Sequence, residues 1–148
     1  MTKIFRYAGA YVMWIADLGL ALWLAYLCRD GFLDILALFY PKGNFAYLNA
    51  ANFADKVFAI ILGIGWLVFM IIVEAYFRAG VSKEELLKRF ARVTGPVLLC
   101  IFVVDLMLFW MQEVGNADWL RWLILAAELG VGIALVVSAK KRFTPKFN

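Results

Sequence analysis

VFAIILGIGWLVFMIIVEAYF, residues 57–77, decides what kind of molecule this is. Lys56 and Arg78 bracket it, and its first seventeen residues carry no charge. At a helical rise of about 1.5 Å per residue the stretch reaches roughly 31 Å, the thickness of a bilayer's hydrocarbon. A water-soluble fold would have to cover such a helix on every side. A chain of 148 residues that is 66% hydrophobic has too little polar sequence for that. The solvent that fits is lipid.

Three further stretches are long and apolar enough to cross: residues 7–27, 96–112 and 119–139. The expected fold is therefore an all-α membrane protein, four transmembrane helices in an antiparallel bundle, forming a single transmembrane domain over residues 1–148. The first run imitates a signal peptide, with Lys3 and Arg6 ahead of it. It is longer than a signal core, carries Asp17 inside it and lacks an A-x-A site near its end, so a retained span is expected. Ala25-Tyr26-Leu27 ahead of Cys28 is a poor lipoprotein box. Cys28 and Cys100 fall on different spans, near opposite faces of the bilayer, and no disulfide between them is expected.

Orientation follows from where the positive charges lie. Eleven of the fifteen Lys and Arg residues are in the N-terminus, the connection after the second span and the tail. The rest, Arg29, Lys42, Lys56 and Arg121, lie on the other side. Both termini are accordingly expected in the cytoplasm, in an inner or plasma membrane. The net charge of +4 forms no compact basic and aromatic patch, so no nucleic-acid partner is expected. The bilayer itself is the first partner.

Two connections carry helical signals of their own. Residues 31–40 are apolar but too short to cross, which predicts a short outer interfacial helix between spans one and two, ended by Pro41. Asn49 or Asn52 then caps the second span's helix, with Phe45, Tyr47 and Phe53 as alternative partner anchors. After span two, Gly80 is placed to close the helix and Ser82-Lys83-Glu84-Glu85 reads as a capping box. Leu86, Leu87, Phe90 and Val93 share one face, which predicts a short cytoplasmic amphipathic helix between spans two and three, resting on headgroups. Thr94-Gly95-Pro96 restarts a helix for span three, with proline in its first turn. Residues 115–118 form a tight outer turn before span four.

The chain has no histidine, the commonest general base and a frequent metal ligand. Haem attachment, metal spacing, P-loop, dinucleotide fingerprint and nucleophile elbow are also missing, so no catalytic residue, metal or cofactor is expected. Chemistry is left to four carboxyls, one per span: Asp17, Glu74, Asp105 and Glu128. Glu74 has Arg78 one turn on, an i,i+4 ion pair. Asp17, Asp105 and Glu128 lie near the middles of their spans, where an ionised acid costs about 2.5 to 3.5 kcal/mol, so each needs a local reason to be there. As a converging group they are candidates for a proton relay or cation site. As a structural group they are protonated carboxyls bonded to donors on other helices, with the indoles of Trp14 and Trp66 the possible donors. Arg121 is two turns from Glu128 but pairs more simply with Asp118.

Small residues mark the expected helix contacts. Ala126, Gly130 and Ala134 make a small-xxx-small ridge on span four, Ala59 and Gly63 a shorter one on span two. Two functions follow from this inventory. One is a non-enzymatic accessory or stabilising subunit of a larger membrane assembly, contacting other subunits or further copies of itself. The other is a proton- or cation-coupled small carrier using the intramembrane carboxyls.

Overall fold

The computed structural model describes residues 3–39, 45–82, 85–111 and 119–141. It is all-helical there: α1 (Lys3–Phe39), α2 (Phe45–Ser82), α3 (Leu86–Met111) and α4 (Trp119–Lys141). All four helices are long and apolar enough to span a membrane. Their outer surface is dense in exposed aliphatic side chains, among them Ile60, Ile64, Ile71 and Val103. Such a surface is a liability in water and an asset in lipid, where helices satisfy their own backbone groups.

α1 packs on α2 and α3, α2 also touches α3, and α4 meets α3 alone among the described residues. Two small cores hold the first three helices together. Ala10, Val73, Phe77 and Val81 form one at the end where α1 begins. Leu27, Ile101 and Leu108 form the other toward the opposite end.

The helices run further than the sequence predicts, and the reasons are local. No separate interfacial helix forms at residues 31–39, which are the last turns of α1. Gly31 does not break the helix because it serves a contact: a Cβ there would lie 3.1 Å from Met107 Cε on α3. Phe32 stacks on Phe58 of α2 at 4.3 Å, holding the same turns against the bundle. α2 starts at Phe45, so Asn49 and Asn52 lie inside it and cap nothing. Pro41 and the side chains of Phe45 and Tyr47 lie outside the described residues, as do residues 112–118.

The predicted amphipathic helix is likewise the beginning of α3. Its apolar face does not wait for headgroups, since Leu86, Phe90 and Val93 pack onto the core of Ala10, Val73, Phe77 and Val81, leaving Leu87 exposed. Gly80 is not the end of α2; the helix runs to Ser82. Its missing side chain makes room for Arg89, whose Cδ would stand 2.6 Å from a Cβ at that place. Arg89 Nη1 in turn donates to the Tyr76 carbonyl at 2.6 Å, and its guanidinium lies 4.6 Å from the Tyr76 ring centre. Ser82 ends α2 and does not cap α3: the backbone N–H of Arg89 donates to the carbonyl of Glu85, giving Glu85 the capping position. Pro96 therefore sits well inside α3, where it removes one helical hydrogen bond.

Candidate functional site

Asp17 is the only fully buried charged side chain among the described residues, with no solvent exposure. It sits on the face of α1 turned to α3, where Thr94 Oγ1 donates to its Oδ1 at 2.6 Å. Oδ2 is buried as well and has no hydrogen-bond partner among the described residues. Thr94 is legible in the sequence only as part of a helix restart. Placed inside α3, it becomes the hydroxyl that meets the acid.

The two tryptophans do not serve the acids. Trp14 Nε1 donates to the Met70 carbonyl and Trp66 Nε1 to the Leu18 carbonyl, each at 3.2 Å. A helical carbonyl has a second lone pair to offer, so both indoles tie α1 to α2 without breaking either helix. This explains two tryptophans away from the interface, the region the residue ordinarily prefers. Further along the same seam, Arg29 makes a bidentate pair with Asp55, both bonds 2.7 Å. That guanidinium holds the Asp55 carboxyl below its usual range, chiefly through the hydrogen bond. At the other end Arg78 pairs with Glu74 at 2.9 Å and donates to the Tyr11 hydroxyl at 3.1 Å. The i,i+4 pair read from the sequence is formed.

Asp105 and Glu128 belong to a different place. Asp105 on α3 faces Arg121 on α4, with the nearest N and O atoms 3.8 Å apart. Arg121 also lies over the Phe109 ring at 5.4 Å. Glu128, two turns further along α4, is within electrostatic reach of Asp105, and its Oε2 is buried without a hydrogen-bond partner among the described residues. The three central acids thus do not converge. The Thr94 that meets Asp17 and the Asp105 that meets Arg121 are about 16 Å apart along α3 at helical rise. α3 starts at Leu86, so its middle lies near residue 98 and Asp105 stands about two turns beyond it. Among the described residues no group of three or more metal-ligating side chains comes together.

The small-residue ridges make no close contact among the described residues. Gly63 and Gly130 would meet nothing within 4 Å if given a Cβ, and Ala126 and Ala134 are exposed. The close approach of α3 to α4 is made by Gly95 and Gly132: a Cβ on Gly95 would stand 2.9 Å from Val136 Cγ2, and one on Gly132 3.0 Å from Leu99 Cδ2. Cys28 and Cys100 are free thiols, but not at opposite faces. Their neighbours Leu27 and Ile101 share one core, and the two thiols are within electrostatic reach of each other. No family model, no curated protein and no solved structure matches the chain.

Proposed function

We propose that the chain is a non-enzymatic integral membrane protein that works as an accessory or stabilising subunit of a larger membrane assembly. The observation that carries this reading is the outward ridge of α4. Ala126, Gly130 and Ala134 are exposed, with open space above Gly130, on a helix that among the described residues meets only α3. Small residues in lipid allow backbones to approach closely, and this ridge meets no helix of its own chain among the described residues. An antiparallel bundle with both termini in the cytoplasm, of an inner or plasma membrane, is the arrangement that goes with it. The pairs 29/55, 18/66, 14/70 and 11/78 along α1 and α2 support the antiparallel order. The excess of Lys and Arg in the termini and the 78–92 region supports the orientation.

Crosslinking in native membranes from a cysteine placed at Gly130 tests the reading. A specific crosslink to another membrane polypeptide, or to a second copy, is the expected result. Recovery of an uncrosslinked monomer, with nothing co-purifying in mild detergent, overturns it.

A second reading, a proton- or cation-coupled carrier, draws on Glu128, whose buried Oε2 has no hydrogen-bond partner among the described residues and whose carboxyl is within electrostatic reach of Asp105. Reconstituted vesicles separate the two. A carrier loses flux on Glu128→Gln while keeping its thermal stability; a structural carboxyl gives no flux before or after the change.

A further inference from the structure

Between α1 and α2 runs a groove of about 600 Å³, within the volume range of ordinary ligand sites. Gly19, Leu22, Tyr26, Gly63 and Trp66 line it, and Arg29 stands at one end. Gly19 and Gly63 form its shallow walls, since a Cβ on either would meet nothing within 4 Å. The Trp66 indole is fixed by its bond to the Leu18 carbonyl, and Tyr26 is braced by a stack on Trp23 with ring centres 5.7 Å apart. The lining is therefore apolar and held in place.

From Gly19 to Arg29 the groove covers about 15 Å at helical rise, half of a hydrocarbon core of roughly 30 Å. It is one leaflet deep, with a charged pair at the end that reaches the boundary and tryptophan at the end that reaches the middle. That pair is neutral as a unit. Arg29 spends two of its five N–H donors on Asp55, and the carboxylate keeps lone pairs beyond those two bonds. A phosphate finds donors on one partner and an ammonium finds an acceptor on the other. A headgroup carrying both charges complements it better than one carrying net negative charge.

We infer that this groove is a binding site for a zwitterionic glycerophospholipid of the adjoining leaflet, one acyl chain lying along Gly19, Gly63 and Trp66 and the headgroup on the Arg29–Asp55 pair. The site depends on the membrane reading and not on the accessory-subunit reading; it exists equally in a monomer. Lipid here is a ligand, set apart from bulk lipid by van der Waals fit and by two charge-assisted contacts.

The test uses the full chain in vesicles of phosphatidylethanolamine and phosphatidylglycerol, each supplied in turn with a photoreactive acyl chain, followed by peptide mapping. Labelling should concentrate on the α1 and α2 peptides around Leu22 and Gly63, with phosphatidylethanolamine ahead by about fivefold, the scale of one ordinary net hydrogen bond at a solvated headgroup. Gly63→Leu, which has space for its side chain, should cut that labelling by about fivefold by filling the groove. Gly65→Leu, equally open on α2 but outside the groove, should leave it unchanged. Asp55→Asn removes the carboxylate hydrogen-bonded to Arg29, leaving Asp30 as its remaining acidic neighbour, and should reverse the headgroup order of the labelling at Leu22 and Gly63 toward phosphatidylglycerol. Labelling indifferent to Gly63→Leu overturns the inference, as does a headgroup order that survives Asp55→Asn. A crosslink from Leu22→Cys to a second copy in the same vesicles overturns it too, by showing protein in the place assigned to lipid.

Discussion

Thr94 on α3 gives its hydroxyl hydrogen to Asp17 on α1, at 2.6 Å and out of reach of solvent. This is the polar bond at the heart of the α1–α3 contact, and the carboxyl's other oxygen has no donor among the described residues. An ionised group so placed is poorly compensated by one hydroxyl, whereas a neutral one is compatible with it.

The first prediction follows from that. Asp17→Asn keeps an oxygen for Thr94 and should cost no more than about 1 kcal/mol, while Thr94→Val should cost about 1 to 2 kcal/mol by leaving the acid without its donor. Reversible unfolding in mixed micelles measures both. A loss from Asp17→Asn larger than that from Thr94→Val would show that the acid is held charged.

The α3–α4 seam makes a sharper prediction within a single helix. Gly132→Leu should destabilise by about 1 to 3 kcal/mol, because the new side chain has to displace Leu99 in a closely packed place. Gly130→Leu should change stability by less than about 0.5 kcal/mol, since nothing stands in its way. Thermal aggregation of the detergent-solubilised variants, side by side, decides it. Equal losses at the two positions would contradict the packing described.

Trp66→Phe keeps most of the ring and removes the donor to Leu18. It should cost about 0.6 kcal/mol, the average for a hydrogen bond between membrane helices, and Trp14→Phe a similar amount. The double variant should show whether the two bonds act independently. Additive losses in denaturant titration are expected, for the indoles reach different carbonyls.

Acid should act through Asp55. Arg29 lowers its carboxyl in the folded protein, so the pair's contribution is complete above the ordinary carboxylate value of about 3.9 and is lost as pH falls through the lowered one. Wild type should therefore be more stable than Asp55→Asn at neutral pH, and the two melting curves should draw together only below the usual carboxylate range. A gap that closes between pH 5 and 7 would mean that another group is responsible.

How far these features can be read from sequence depends on how many bodies each one involves. That residues 57–77 form a crossing helix is a property of one segment, and length with apolarity is enough to find it. The Glu74–Arg78 pair is equally legible, because i and i+4 meet on any helix. Gly130 and Gly132 mark where such reading stops. They are neighbours in sequence but about 200° apart around α4, and only the position of α3 determines which of them is pressed against a neighbour. The same holds for Asp17 and Asp105, whose partners Thr94 and Arg121 come from other helices. The ends of α1 and α3 are hidden in the sequence for a related reason: only the side chains that occupy the missing volume at Gly31 and Gly95 show that the helix continues through them.

Because α4 joins the molecule through a single seam, the order of synthesis matters for it. A ribosome delivers α1, α2 and α3 first, and these already share their two cores before the last helix leaves the exit tunnel. Until that helix arrives, the notch at Gly95 stands open to bulk lipid. A chain caught between those two moments would be a three-helix intermediate whose uncovered face is the notch that later receives Val136.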